Sequence, residues 1–181
     1  DCRAGLIPLD RRIPEDPETV SRIAVQMARF RQEASEKVGD AAEEIEDTPQ
    51  FVADLMRTVL DAEVGIVNWG TLREGRFSGD ITRGDVDHLV RFDDQVVALE
   101  VTGSQLRSMA ASSKTRERQG QRLIFSGYDP DANQVAGRPL KADETYRAAT
   151  TEYLAAGGDG YFSGEGLKAQ EWMMLKEMLL A

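Results

Sequence analysis

The stretch Thr151-Glu152-Tyr153-Leu154-Ala155-Ala156-Gly157-Gly158-Asp159-Gly160-Tyr161 sets three glycines and one aspartate between two tyrosines. It follows residues 145–150, a run whose composition predicts a strand. Glycines let the backbone enter φ > 0 and bring it close to a ligand. Tyr153 offers a flat aromatic face, and Asp159 an acceptor for hydroxyl groups. Two readings stand side by side: a glycine-rich turn that caps a short helix, or a binding loop fed by a strand.

Upstream, residues 64–67 form a short apolar run that reads as a buried strand. It delivers Asn68-Trp69-Gly70-Thr71-Leu72-Arg73 at its C-terminal end, where α/β proteins place binding groups. Arg73 is suited to a carboxylate or phosphate, although a surface arginine is the simpler reading. Trp69 reads as a packing residue. Val96, Val97, Leu99 and Val101 mark a strand over residues 95–102, after a turn at Arg91-Phe92-Asp93-Asp94 with an aromatic at its tip. Residues 121–126 predict a further strand.

The helices are signalled by caps and by spacing. Asp16 before Pro17 opens the first, with Val20, Ile23, Ala24, Met27, Ala34 and Val38 at helical intervals, Phe30 beside them, and Gly39 ending it. Asp47 or Thr48 before Pro49 opens the second, whose apolar stripe is Val52, Leu55, Met56, Val59 and Leu60. A short helix over 85–90 carries His88 on its surface. Another starts at Gly103-Ser104 with Leu106, Met109 and Ala110. A last one, over 170–180, carries Trp172, Leu175 and Leu179, widened by Met173, Met174 and Met178. Residues 75–79, with Arg76, read as a solvated loop, and residues 112–120, with Lys114, Arg116 and Arg118, as a mobile basic one. The X-Pro pairs in Ile7-Pro8-Leu9 and Ile13-Pro14 make residues 1–15 an extended lead-in. The expected fold is α+β, a mixed sheet layered with helices, in a single domain over residues 16–181.

Composition narrows the function. The 181 residues carry 22 Lys and Arg against 32 Asp and Glu, a net charge of −10. A surface that acidic repels polyphosphate backbones, which argues against nucleic acid as partner. No apolar run approaches the ~20 residues of a membrane span. No signal peptide opens the chain, so it is read as cytosolic or already trimmed. Cys2 is the one cysteine and His88 the one histidine. Zinc and di-metal hydrolase sites draw on several His, Cys and Asp ligands, so no metal or other cofactor is expected in this chain. Asp129, Asp131 and Asn133 mimic the start of a calcium loop. The glycine needed at its sixth position is Gln134 and the closing glutamate is Leu140, so a hairpin turn is the better reading.

Three segments in register resemble the C-terminal domain of the 5'-nucleotidase and UDP-sugar hydrolase family. The first is Ile66-Val67-Asn68-Trp69-Gly70-Thr71-Leu72-Arg73, followed by Gly79-Asp80-Ile81-Thr82 and Asp85-Val86. The second is Phe92 followed by residues 96–106, and the third is Thr145-Tyr146-Arg147-Ala148-Ala149-Thr150 with Tyr153 to Tyr161. The resemblance covers about residues 47–162, and the lead-in with helix one resembles the link that follows the family's catalytic domain. It implies an N-terminal metallophosphoesterase domain outside this chain that holds divalent metals and does the chemistry. This chain would then recognise a nucleotide or nucleoside-like molecule without turning it over alone. It further implies that Phe92 and Tyr153 sandwich a base, that Asp159 takes ribose hydroxyls, and that Asn68 and Arg73 lie near base and phosphate. A periplasmic, secreted or cell-surface location is implied as well. Two departures stand out: Trp69 directly after Asn68, and the acidic run Ala42-Glu43-Glu44-Ile45-Glu46 where the family carries another phosphate-binding arginine. They keep open a second class, a diverged module that binds another ligand or a protein.

Overall fold

Apolar alternation in the strands organises everything else. In β4 (Gln95–Thr102) Val96 and Ala98 face one side of the sheet, and Val97, Leu99 and Val101 face the other. β2 (Val64–Asn68) is wholly buried and β9 (Thr145–Thr151), although rich in Thr, is buried over most of its length, as central strands covered on both faces must be. With β5 (Leu123–Ser126) and β10 (Trp172–Met174) they make a five-stranded sheet in the order β10-β4-β9-β2-β5. β2 and β9 run parallel and the other pairs antiparallel, so the sheet is mixed. The computed structural model describes residue 5 and residues 13–116, 121–162 and 172–181.

Each face of the sheet has its own core. On one side α2 (Thr48–Val59) buries Val52, Ala53 and Met56, and α6 (Leu175–Leu180) adds Leu175 and Met178. On the other, α4 (Gly103–Arg116) buries Leu106 and Met109 beside Leu154, Tyr146 and Phe162. Each fully buried aliphatic side chain of this kind stabilises by about 1.5–3 kcal/mol. α2 starts as its sequence dictates: Asp47 accepts from the Gln50 amide at 3.1 Å, and Pro49 occupies the first turn. Gly65 lets α2 lie close on β2, because any Cβ there would run into the Ala53 carbonyl. A small meander of β6 (Tyr128–Asp129), β7 (Gln134–Val135) and β8 (Arg138–Pro139) covers the edge beyond β5. It occupies the segment read as a hairpin turn.

Four expectations are corrected. The first helix, α1 (Pro17–Ala34), stops before Gly39, and residues from Lys37 form β1 (Lys37–Ile45). Its antiparallel partner β3 (Phe77–Thr82) takes up part of what read as a loop around Gly75 and Gly79, and α3 (Arg83–Leu89) follows directly. This two-stranded arm is mostly exposed, so it lacks the apolar alternation that reveals a strand. Buried Phe77, with Ala41, Ile45 and Ile81, anchors it to the core, and charge adds to this: Lys37 pairs with Asp40 at 2.6 Å and Asp80 at 2.9 Å, and Arg76, read as solvated, pairs with Glu44 at 3.0 Å. α4 continues to Arg116 through half of the expected basic loop. The last helix begins only at Leu175, because Trp172–Met174 pairs as a strand with β4.

The apolar positions of α1 are regularly spaced yet exposed, and none of its residues is buried. Cys2, the Ile7-Pro8-Leu9 lead-in, Arg118, the start of the last helix at Gln170 and the Trp172 side chain lie outside the described residues and side chains.

Candidate functional site

The topology gathers four loops at one end of the main sheet. β2 and β9 both finish there, and β4 and β5, which run antiparallel to their neighbours, both begin there. β2 ends on Asn68 and passes into a single 3-10 turn, Trp69–Thr71. The connection from α3 to β4 supplies Phe92 and Asp94. β9 ends on Thr151, whose hydroxyl accepts from the Leu154 amide and so starts the short α5 (Glu152–Ala155) that carries Tyr153. Asp159 follows in another 3-10 turn, Gly158–Gly160.

Asn68, Gly70, Thr71, Phe92, Asp94, Gln121, Tyr153 and Asp159 line one pocket of about 440 Å³. Phe92 and Tyr153 remain 55% and 45% exposed, so both rings are free to meet a ligand. Asp159 is the most heavily bonded group in the pocket. Its Oδ1 accepts from the Tyr153 hydroxyl at 2.8 Å and from Gln121 Nε2 at 3.3 Å, and its Oδ2 from Asn68 Nδ2 at 3.1 Å. Thr71 donates to Asn68 Oδ1 at 2.5 Å, which orients the amide so that its nitrogen faces Asp159.

The glycine turn is built around this carboxylate. Gly157 lies at φ 95°, Asp159 at 54° and Gly160 at 66°, three residues in the left-handed region. Aspartate tolerates that conformation better than most residues with a Cβ. Gly158 is needed for another reason: a Cβ there would stand 2.5 Å from Cε1 of Tyr153 and from its carbonyl oxygen. Arg116 ties the turn down by donating to the Asp159 carbonyl and stacking 4.9 Å from the centre of the Tyr161 ring. Its sequence reading as part of a mobile basic loop is thereby corrected.

Two side chains in the pocket have displaced titrations. The Tyr153 phenol is held above its ordinary value because it donates to Asp159. The Asp94 carboxyl is also pushed up, first by burial and then by the nearby charges of Glu152 and Asp93.

Of the residues singled out in the sequence, four meet here: Asn68, Phe92, Tyr153 and Asp159. Arg73 does not. It lines a neighbouring pocket of about 400 Å³ with Trp69, Arg122, Glu46, Asp47 and Glu74, and donates to the His88 carbonyl at 3.0 Å. Trp69, read as packing, is 39% exposed. Thr71, Asp94 and Gln121 were not anticipated. Among the described residues no group of three His, Cys, Asp or Glu is placed to hold a metal ion.

Comparison with known families matches residues 20–164 to the 5'-nucleotidase, C-terminal domain. The chain belongs to this family. As a 5'-nucleotidase C-terminal domain it is similar, at 25% identity over 87% of its length, to the trifunctional nucleotide phosphoesterase protein YfkN of Bacillus subtilis, of which it covers 13%. It is 25% identical over 83% of its length to the protein UshA of Yersinia enterocolitica, covering 31% of that protein. Among solved structures, the 5'-nucleotidase precursor of Thermus thermophilus superposes on 92% of the chain with a TM-score of 0.69 at 17% identity. That likeness supports the fold, and this domain spans 40% of the Thermus chain. The chain thus spans well under half of the length of each of these proteins. Among the described residues no helix is long and apolar enough to cross a membrane.

Proposed function

We propose that this domain recognises the nucleoside part of a nucleotide for a 5'-nucleotidase-family phosphohydrolase. The observation that carries the proposal is a single pocket lined by two exposed aromatic rings and a carboxylate fixed by three donors. A base stacked on Phe92 or Tyr153 gains about 1–3 kcal/mol per ring. Asp159 takes the sugar: a carboxylate offers about four lone-pair sites, and the Tyr153 hydroxyl is a donor that a ribose hydroxyl can replace. Asn68 holds Asp159 and reaches the ligand only through it.

The chemistry belongs to a metallophosphoesterase domain outside this chain, where divalent metals activate water and bind the phosphate. By the same family reading, we propose a periplasmic, cell-surface or extracellular location for the whole protein. In a second reading the pocket serves a module that has diverged from nucleotides. Its support is that Arg73 sits outside the pocket, beside Glu46, Asp47 and Glu74.

Titration calorimetry of the 181-residue chain with adenosine tests the proposal. Saturable binding at millimolar ligand or below, without hydrolysis of 5'-nucleotides when divalent metals are added, is the expected result. No binding at millimolar ligand would leave the diverged module as the better reading.

A further inference from the structure

Asp94 is the one carboxylate of the pocket whose oxygens have no hydrogen-bond or ion-pair partner among the described residues. Asp159, by contrast, is engaged on both oxygens. Asp94 is partly buried, and the charges facing it are of its own sign: Glu152 from α5 and its neighbour Asp93. The nearest cation on α6, Lys176, bonds to Asp87 and Asp93 at 3.3 Å each and not to Asp94. The position is firmly held, because the Asp94 carbonyl accepts from the Leu175 amide at 2.9 Å at the start of α6. An acceptor-only group kept partly dry among like charges, two residues from the aromatic Phe92, is suited to a ligand that brings donors.

Resting on the nucleoside reading above, we propose that Asp94 makes the pocket selective for guanine among the bases. A ring stacked along Phe92 or Tyr153 presents its hydrogen-bonding edge in the plane between them, towards the side chains that border the rings. The donors of the other polar side chains are directed elsewhere: Thr71 to Asn68, and Asn68, Gln121 and Tyr153 to Asp159. The edge that best fits a free carboxylate carries two adjacent donors, one per oxygen. Guanine has that edge in N1–H and its 2-amino group. Hypoxanthine has only N1–H, beside a carbonyl. Adenine and cytosine each offer one amino group next to a ring nitrogen that accepts and so repels the carboxylate. Uracil places its single N–H between two carbonyl oxygens. The order of affinity is therefore guanine first, hypoxanthine, adenine and cytosine next, and uracil last. A well-made bidentate contact separates its base from the others by about tenfold.

The test is calorimetric titration of the 181-residue chain and its Asp94→Asn variant with 5'-GMP, 5'-IMP, 5'-AMP and 5'-UMP, which share one phosphate and sugar. The wild type should bind GMP about tenfold tighter than UMP and several-fold tighter than AMP. In Asp94→Asn, whose amide gives one donor and one acceptor, the GMP preference should vanish and AMP should rise in rank. Equal binding of the four nucleotides by the wild type, or a GMP preference that survives in the variant, overturns the assignment of Asp94 alone. Failure of all four to bind the wild type overturns the nucleoside reading and this inference together.

Discussion

Replacing Tyr153 by alanine separates stacking from charge as the source of affinity. Tyr153 is 45% exposed on α5, and its hydroxyl bonds to Asp159 at 2.8 Å. Losing the ring removes one stacking face, worth about 1–3 kcal/mol, or roughly a 5- to 150-fold loss in affinity. Losing the hydroxyl also frees one site on Asp159 Oδ1, which offsets a small part of that loss. Tyr153→Phe keeps the face and loses only the donor, so it should stay within a few-fold of the wild type. Arg73→Ala should change adenosine binding by less than about 1 kcal/mol, the scale of an exposed charge contact. Its guanidinium lines the adjoining pocket and is spent on the His88 carbonyl. Calorimetry or ligand-observed NMR on the four proteins reads all three differences. Equal losses from Tyr153→Ala and Arg73→Ala, or a loss confined to Arg73→Ala, would refute the reasoning and give the phosphate side the larger share.

Gly158→Ala should weaken nucleoside binding at least as much as Tyr153→Ala, since its Cβ would stand 2.5 Å from Cε1 of Tyr153 and displace the ring; calorimetry beside a melting curve separates this from unfolding. Asp94→Asn should raise the melting temperature of the free protein at neutral pH, because burial and the Glu152 and Asp93 charges disfavour the ionised carboxyl in the fold. With the folded-state titration lying above the unfolded one, the cost is present at pH above it and disappears as Asp94 protonates, so the variant's advantage should shrink on acidification. Thr150 Oγ1 is buried without a hydrogen-bond partner among the described residues, so Thr150→Val should leave thermal stability unchanged or raise it. A clear fall in melting temperature would show that the hydroxyl has a partner.

What could be read from the chain followed from burial. β4 and β2 run apolar because both faces of the central sheet are covered, and α2 carries its cap and its stripe in adjacent residues. β1 and β3 were not legible, since most of their residues are exposed and the few that reach the core, Phe77 with Ala41, Ile45 and Ile81, follow no regular alternation. β10 is three residues of a run equally apt for helix, and only the edge of β4 makes it a strand. α1 shows the converse: helical spacing was clear, but spacing alone does not tell a buried stripe from an exposed one. In the site, the glycines and the aromatic ring singled out Tyr153 and Asp159, whereas Phe92 stood out only through the family resemblance. Gln121, Thr71 and Asp94 looked like any polar turn residues until the sheet brought their loops together.

The pocket's two carboxylates divide its work because their surroundings differ. Asp159 sits in a left-handed turn that glycine neighbours permit, and the donors of Asn68, Gln121 and Tyr153 converge on it from separate loops. Each donor fixes the carboxylate, and the carboxylate in turn fixes the Tyr153 ring. Removing Asn68 would therefore disturb the aromatic wall as well as the acid. Asp94 has no such support, and its carboxyl is disfavoured in the charged form by burial and by Glu152 and Asp93. A fold gains nothing by keeping an acid there when the isosteric amide would remove the repulsion. That residue is better understood as a contribution to binding than to stability, and it lies at the point where a stacked ring has an edge left to satisfy.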